Sequence, residues 1–402
     1  MNAKLINRNI SFFNIFFFSL GGYYTSLILV SNFLSNNYSR IVTMPIRVVI
    51  ILSIIYLVVN SDIHKKLKLE AVFFIIFSFF YIFKIAISAV LDSNLYIPPS
   101  QFLLYFLSFV FLPFLLVSII RINKFEYEKI FNIIIFGCVS VSILTYLFYG
   151  KLLGNVSRIS QEVGKDANYI SPLALSYVSV LGISLCFSYL LTRTPPVKYK
   201  IYLYLTILLC LIPFFLGASR GSVLAFVFSI SFYFLASRGL TKKIKLIFPV
   251  FIIIFLFFFM SNYMGTSVFD RVINISSAID SQSSSAVRLY LWENGILQFL
   301  NNPLLGDSLQ LEVAKHYPHN IIVEVLMSTG LIGFIPFFIF SILIFKKSIK
   351  IIRIHPEMFW VTNIFFMGFV MNMFSGAIWG ASWFAIGAAL ISGFDLRVKN
   401  SE

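Results

Sequence analysis

The sequence predicts an all-α, polytopic integral membrane protein with about twelve transmembrane helices and one long external loop. Of its 402 residues, 59% are hydrophobic and 12% are charged, which is about half the charged fraction of a soluble domain. Apolar runs of about 18–25 residues recur from end to end, long enough to cross a hydrocarbon core of about 30 Å. An outer-membrane β-barrel would show short alternating strands instead.

Twelve spans are predicted, with boundaries good to about 2–4 residues. In chain order they cover residues 10–34, 41–59, 71–91, 101–120, 130–149, 170–192, 201–218, 220–237, 244–261, 320–345, 358–377 and 379–395. The divisions at 218–220 and 377–379 are the weakest, because the connections there are very short.

The distribution of basic residues predicts the orientation. Lys4 and Arg8 precede the first span, and basic clusters follow every even-numbered span. The positive-inside rule therefore places both termini in the cytoplasm. The net charge of +15 does not indicate a nucleic-acid partner, since the positive residues lie in short loops between apolar runs. The few basic residues on the opposite side either escaped the rule or converge on an anionic ligand.

Residues 262–319 form the one long connection of what is predicted as a single transmembrane domain, 1–402. Within it, residues 288–300 carry apolar side chains at helical spacing, namely Leu289, Trp292, Ile296 and Phe299 or Leu300. Pro303 and Gly306 end this helix. An amphipathic helix of this kind lies on the membrane surface or packs across the spans.

His319 is the first candidate functional residue. It is predicted to begin the tenth span, with Pro318 in the first helical turn. Gly330, eleven residues later, would lie about 20° from the same helical face, where glycine lets a neighbouring helix or lipid chain approach closely. A histidine at this position is either a polar anchor or a catalyst. Glu324, in the same span, either marks a functional site or reaches the membrane interface.

Three arginines on the external side are candidates for binding an anion. Arg220 opens the eighth span after a tight turn and suits a bidentate phosphate contact, although snorkelling to lipid headgroups is the alternative. Arg288 and Arg158 either bind the same anion or are simply solvated. No metal motif, phosphate loop or cofactor motif is present, so arginines would have to neutralise a phosphate leaving group without a metal or other cofactor.

Taken together, three motifs resemble the O-antigen polymerase and O-antigen ligase superfamily. They are Arg220 with Leu224, the Arg288…Trp292…Phe299…Pro303…Gly306 block, and His319-Asn320…Gly330. The resemblance is confined mainly to residues 210–335. It implies a metal-independent glycosyltransferase of the bacterial inner membrane, with its active site and the 262–319 loop on the periplasmic side. The donor would be a glycan on undecaprenyl diphosphate.

The resemblance also implies roles for individual residues. Arg220 and His319 correspond to the essential pair of the ligases. A neutral His319 would accept the proton of a sugar hydroxyl, and Arg220, Arg288 and Arg158 would bind the diphosphate. The supporting residues would be Gly330, Trp292 and Glu324.

A polymerase is favoured over a ligase because the chain is short and rich in Phe and Ile, with Tyr169–Leu173 leading into the sixth span. Expected partners are the lipid-linked oligosaccharide, membrane lipid, and a chain-length regulator and flippase of the same pathway. Two other classes stay open. A transporter would use mid-membrane charges such as Lys84, and a scaffold would need neither His319 nor Arg220.

Overall fold

The computed structural model describes residues 3–33, 39–64, 66–91, 95–153, 171–238 and 284–396. Within these ranges all regular structure is helical and there is no β-strand, which confirms the predicted all-α class. The predicted ninth span, 244–261, and the candidate Arg158 lie outside the described residues.

The described α-helices are labelled in chain order. They are α1 (Ala3–Phe33), α2 (Ser39–Val59), α3 (Leu69–Leu91), α4 (Pro99–Phe106), α5 (Leu112–Ile119), α6 (Lys124–Tyr149), α7 (Pro172–Thr192), α8 (Val197–Gly217), α9 (Arg220–Ala236), α10 (Ser284–Asn301), α11 (Ile321–Ile354), α12 (Phe359–Phe374) and α13 (Ser382–Gly393). A π-helical turn, Leu107–Phe111, joins α4 to α5 without a break.

Eight of the described helical segments are long and apolar enough to cross a membrane. They are Phe12–Val30, Leu69–Leu91, Pro99–Ile119, Lys124–Leu152, Pro172–Thr192, Val197–Gly217, Ile321–Ile354 and Pro356–Phe374. Three shorter apolar helices are Pro45–Val59, Arg220–Ala236 and Ser382–Gly393. These helices indicate a multi-pass membrane protein. The count of twelve spans, the orientation of the termini and a single domain over 1–402 stay predictions.

The chain divides into two compact units. The first comprises Met1–Asn60, Ile122–Ile273 and Ile351–Met367. In it, α1 and α6 pack closely through glycines: a Cβ at Gly21 would lie 2.4 Å from the Ile134 carbonyl oxygen, and one at Gly137 would lie 2.6 Å from the Gly22 nitrogen. Small residues permit this approach of two membrane helices.

A buried amide joins three helices of the first unit. The Nδ2 of Asn363 on α12 donates to the hydroxyl oxygens of Ser184 at 2.6 Å and Ser188 at 2.7 Å on α7. Its Oδ1 accepts from Ser229 on α9. The amide is 0% exposed, and such groups are stable inside a protein only when hydrogen-bonded. Interhelical bonds of this kind hold membrane helices together.

The second unit comprises Ser61–Arg121, Asn274–Lys350 and Gly368–Glu402. Its core contains packed aromatic rings, with Phe340 lying 4.9 Å from Phe74 and 5.9 Å from Phe384 between ring centroids. A partly buried ion pair joins Lys347 of α11 to Glu70 of α3 at 3.1 Å. Lys347 also donates to the Ser392 carbonyl at 2.6 Å, so the pair has the additional hydrogen bond that a buried charge requires.

An interruption of α11 shapes this second unit. Gly330 has φ 58° and ψ −161°, which is not helical, and backbone groups freed by such a break need new partners. The segment Pro303–Asp307 supplies them: the amides of Leu331 and Ile332 donate to the carbonyls of Pro303 at 2.8 Å and Leu304 at 3.2 Å. In return, the Asp307 amide donates to the Met327 carbonyl at 2.8 Å. Gly330 therefore receives this loop, where a neighbouring helix or a lipid chain was expected.

Candidate functional site

His319 lies just before α11 instead of inside it. The helix begins at Ile321, and the Asn320 Oδ1 caps it by accepting from the amides of Ile322 at 3.0 Å and Val323 at 3.2 Å. His319 has φ 59°, a left-handed conformation that costs a non-glycine residue about 1–3 kcal/mol. The prediction that His319 starts the span was wrong, because asparagine is the better cap. With Gly330 also non-helical, the predicted shared helical face of the two residues was wrong as well.

The imidazole of His319 is arranged as a neutral ring with one free lone pair. Burial, the nearby His316 and Arg288 together lower the pKa of His319 to about 4, even though a hydrogen bond with the Ser375 backbone raises it. Nδ1 is buried and has no hydrogen-bond partner among the described residues. The bond to the Ser375 carbonyl therefore comes from a protonated Nε2, and Nδ1 carries the lone pair.

Aromatic rings enclose this histidine. Ring centroids lie 4.5 Å apart for Tyr317 and His319, and 5.0 Å apart for His316 and His319. Trp379 meets Tyr317 edge-on at 5.6 Å and stacks on Tyr105 at 5.2 Å. Burial raises the pKa of Tyr317 to about 12, so its hydroxyl stays protonated at neutral pH.

Arg288 and Trp292 lie one turn apart on α10 and contact two adjacent residues, Ser375 and Phe374. The Arg288 Nη2 donates to the Ser375 hydroxyl at 3.5 Å, and the Trp292 ring lies 6.1 Å from that of Phe374. Ser375 thus contacts Arg288 through its hydroxyl and His319 through its carbonyl. Arg288 and His319, both predicted site residues, therefore contact Ser375, which was not predicted to belong to the site.

The helix α10 confirms the predicted amphipathic segment but turns a different face inward. Leu289 and Ile296 of the predicted apolar stripe are 46% and 45% exposed, so the stripe is not the face that packs inside the protein. The buried positions are Leu291, Gly295 and Gln298. A Cβ at Gly295 would lie 2.6 Å from the Val323 side chain. Close contact with the first turn of α11 therefore decides the register of the helix, because only glycine fits there.

Gln298 ties α10 to the loop that leads to His319. Its Nε2 donates to the Gln310 carbonyl at 3.1 Å, and its Oε1 accepts from the Glu312 amide at 3.4 Å. Further along this loop, the Leu311 amide donates to the His316 carbonyl at 2.9 Å. These bonds fix the approach to the left-handed residue at 319.

Glu324 lies in the first turn of α11 and is 1% exposed. It therefore lies inside the protein. Its Oε2 accepts from the Ile378 amide at 2.9 Å, while Oε1 has no hydrogen-bond partner among the described residues.

Arg220 begins α9 in the first unit, where its turn is tightly packed. Ala218, with φ 43°, ends α8 in a left-handed conformation. A Cβ at Gly221 would lie 2.1 Å from the Tyr177 hydroxyl, and the hydroxyls of Ser222 and Ser176 are 2.7 Å apart. The start of α9 is thus held against α7. His319 belongs to the second unit, so the pairing of Arg220 with His319 stays a prediction.

Lys84, the candidate for a transporter, contacts the loop described above. Its Nζ donates to the carbonyls of Gly306 at 3.4 Å and of Asp307. The cation therefore supplies hydrogen-bond donors to backbone carbonyls beside the interruption at Gly330. No group of three or more His, Cys, Asp or Glu side chains in the described part of the chain could hold a metal ion.

Ser375 and Trp379 are the residues of this site that sequence reasoning missed. Both lie in the short connection between α12 and α13. The predicted spans 358–377 and 379–395 placed them inside transmembrane helices, which was wrong. The composition of the connection, Ser375-Gly376 followed by Trp379-Gly380, was the available signal, because polar and aromatic residues in so short a turn need a partner.

One comparison with known families bears on this site. Residues 205–338 match the family model Wzy_C, O-antigen ligase. The match covers a third of the chain and is consistent with the O-antigen polymerase and ligase superfamily. It includes Arg220, Arg288, Glu324 and His319, whereas Ser375 lies beyond it. No curated protein matches the chain.

The match supports a function of the O-antigen ligase or polymerase type in lipopolysaccharide biosynthesis. Members of the Wzy_C family are glycosyltransferase-like enzymes, and the family implies lipid-linked oligosaccharide substrates. The motif-based resemblance is thereby confirmed at the level of the superfamily.

Proposed function

We propose that the protein is an O-antigen polymerase. It moves a glycan from undecaprenyl diphosphate to the non-reducing end of another lipid-linked repeat unit, at the periplasmic face of the inner membrane. The family match supports the reaction class. The observation that carries the proposal is the unpartnered Nδ1 of His319, held beside Arg288 by their common neighbour Ser375.

His319 acts as the general base. The acceptor hydroxyl donates its proton to Nδ1 as the acceptor oxygen forms a bond to the anomeric carbon of the donor. Nε2 keeps its proton on the Ser375 carbonyl, which stabilises the resulting imidazolium. A pKa of about 4 makes the free ring neutral but weakly basic. Binding of an anionic diphosphate nearby raises that pKa toward neutrality, where a general base is most effective.

The arginines stabilise the leaving group. As the bond between the anomeric carbon and the phosphate oxygen breaks, negative charge develops on undecaprenyl diphosphate. Arg288 lies near enough to lower the pKa of His319, so its charge acts at the same place. Arg220 and Arg158 complete the arginine set in this proposal. Fixed cations facing a developing charge supply what a metal ion would otherwise provide.

An O-antigen ligase is the second candidate, because the matching family model carries that description. The same base and arginines would act, and the acceptor would be a sugar of lipid A–core. For a polymerase, the proposed partners are a chain-length regulator and a flippase.

The test replaces His319 with Ala, and separately Arg220 with Ala, in a strain lacking the native gene. Loss of a polymerase leaves core carrying a single repeat unit, whereas loss of a ligase leaves bare core and long chains on the carrier. His64→Ala, a histidine in the 60–68 connection, is the matched control and keeps normal ladders. Normal ladders in both well-expressed test variants would contradict the catalytic assignment.

A further inference from the structure

Glu324 is an unusual buried carboxylate. It is 1% exposed, and none of the ion pairs among the described residues includes it. Of its two oxygens, Oε2 accepts from the Ile378 amide at 2.9 Å and Oε1 has no hydrogen-bond partner in the described part of the chain. Burying a carboxylate this way is unfavourable. An apolar side chain at this position would cost less stability. The presence of a carboxyl group therefore indicates that its bond to the Ile378 amide has a function.

The Ile378 amide belongs to the connection between α12 and α13. Ile378 is 0% exposed and begins a single turn of 3-10 helix, Ile378–Gly380. Ser375, three residues earlier, starts the same connection and donates its amide to the Met371 carbonyl at 2.8 Å. Glu324 thus binds this connection at a point between Ser375 and Trp379.

Both ends of the bound stretch contact the histidine site. Ser375 holds His319 through its carbonyl and Arg288 through its hydroxyl. Trp379 meets Tyr317 at 5.6 Å, and Tyr317 meets His319 at 4.5 Å between ring centroids. A movement of the connection would therefore shift the partners of His319 on two sides.

We propose that Glu324 is a positioning residue for glycosyl transfer, which anchors the Ser375–Trp379 stretch through the Ile378 amide and so keeps the Ser375 carbonyl on His319. This inference rests on the proposed function. Without the anchor, the Ser375 carbonyl moves away and Nε2 loses its acceptor. The imidazole then no longer presents a lone pair reliably at Nδ1, because the opposite hydrogen bond selects the tautomer.

Two substitutions separate this role from a role in proton transfer. Glu324→Gln keeps an oxygen that accepts from the Ile378 amide but removes the group that can exchange a proton. Glu324→Leu removes the acceptor at similar volume. If Glu324 positions the connection, activity is kept in Glu324→Gln and lost in Glu324→Leu. If Glu324 exchanges protons, activity is lost in both variants.

A third substitution removes the same bond from its other end. Ile378→Pro deletes the amide hydrogen and leaves Glu324 in place. The local backbone accepts proline: Ala377 has φ −132° and ψ 154°, the extended conformation required before proline, and Ile378 is the first residue of its turn. The variant pair Glu324→Leu and Ile378→Pro then forms a double-mutant cycle.

The readout is carbethoxylation of His319 in the purified full-length protein, followed by mass spectrometry between pH 3 and 8. Diethyl pyrocarbonate reacts with the neutral imidazole, so the profile reports the state of His319 without any turnover. The wild type and Glu324→Gln should share one profile with a midpoint well below pH 6.5. Glu324→Leu and Ile378→Pro should lower the midpoint further, because the bond to the Ser375 carbonyl that they weaken is the contact that raises the pKa of His319. The double variant should lower it no further than either alone.

Turnover on a lipid-linked donor provides the second measurement. Misplacement of a reacting group by about 1 Å can lower a rate by about 10²-fold, so Glu324→Leu should lose about that factor in kcat while Glu324→Gln stays near wild type. Glu70→Gln, which alters the buried carboxylate paired with Lys347, is the matched control and leaves the His319 profile unchanged.

The outcomes are distinguishable from those of the proposed function. An unchanged carbethoxylation profile in folded Glu324→Leu would overturn the positioning role, as would a Gln variant that behaves like Leu or a cycle with additive shifts. Full activity of His319→Ala would instead overturn the proposed function, whatever the profiles show.

Discussion

A Cβ atom placed on Gly330 would lie 2.4 Å from the carbonyl oxygen of Leu304. That contact explains why the Asn302–Gly306 segment and Gly330 occur together in one sequence. The segment supplies carbonyls to the amides freed at Gly330, and its own Gly306 has φ 72°. The loop and the broken helix are therefore one structural feature, to which Lys84 adds a cation.

Gly330→Ala should destabilise the protein strongly. Alanine at φ 58° is strained, by about 1–3 kcal/mol, and its methyl group would displace the Leu304 backbone. We expect a lower melting temperature in detergent, measured by intrinsic fluorescence. Gly380→Ala is the control, since a Cβ there meets nothing within 4 Å, and its melting temperature should not change. Equal melting temperatures for the two variants would contradict this account of the loop.

Asn320→Ala should affect both stability and activity. Loss of an asparagine cap costs about 1 kcal/mol, and Asn320 fixes the turn that holds His319. Asn123→Ala removes an equivalent cap, whose side chain accepts from the Glu126 amide at 2.9 Å on α6. Both variants should unfold at similarly reduced temperatures, while only Asn320→Ala loses ladder formation. If the two lost activity equally, the cap at 320 would have no special role.

The pH dependence of kcat/KM should reflect the depressed pKa of His319. A base works only when deprotonated, so activity falls as the pH drops through the pKa of the free enzyme, about 4. An ordinary histidine would lose activity near 6.5. Because the positive charge of Arg288 helps to depress this pKa, Arg288→Gln should move the acid limb upward, whereas Lys346→Ala should not. An acid limb already near pH 6.5 in the wild type would disagree with a buried base.

Arg220 and Arg288 should show coupled effects if both bind one diphosphate. Charged hydrogen bonds contribute about 1.5–3 kcal/mol each, so each Ala variant should raise the donor KM by about 10–100-fold. In the double variant the increase should be smaller than the product of the single effects. A combined effect equal to that product would indicate that the two arginines act independently, and would contradict a shared diphosphate.

Much of the architecture could be predicted from the chain because its cause is local. Runs of apolar residues need only the thickness of a bilayer to become helices. Each of the eight long apolar helices and the three shorter ones overlaps a predicted span. The amphipathic segment beyond residue 284 was also recognisable. The face of α10 that packs inward could not be predicted. The close contact between Gly295 and Val323 decides it, and helical periodicity does not reveal which neighbour lies closest.

The candidate residues divide in the same way. His319, Arg288, Trp292 and Gly330 were identified by residue type and order, and three of them meet around Phe374–Ser375 or His319. The conformations of His319 and Gly330 were predicted incorrectly, because a left-handed residue at 319 and a break at 330 depend on contacts with other elements. Ser375 and Trp379 escaped notice because their partners are distant in the chain.

By itself, the sequence determined a helical membrane protein with a histidine and arginines of the O-antigen polymerase and ligase pattern. Hydrophobic length and residue identity are sufficient for that, since partition into a bilayer depends on each segment alone. Only the tertiary structure decided that Ser375 holds His319, that Glu324 binds the Ile378 amide and that Pro303–Asp307 fills the break at Gly330. These are hydrogen bonds between groups far apart in the chain, and burial makes each depend on the exact placement of its partner.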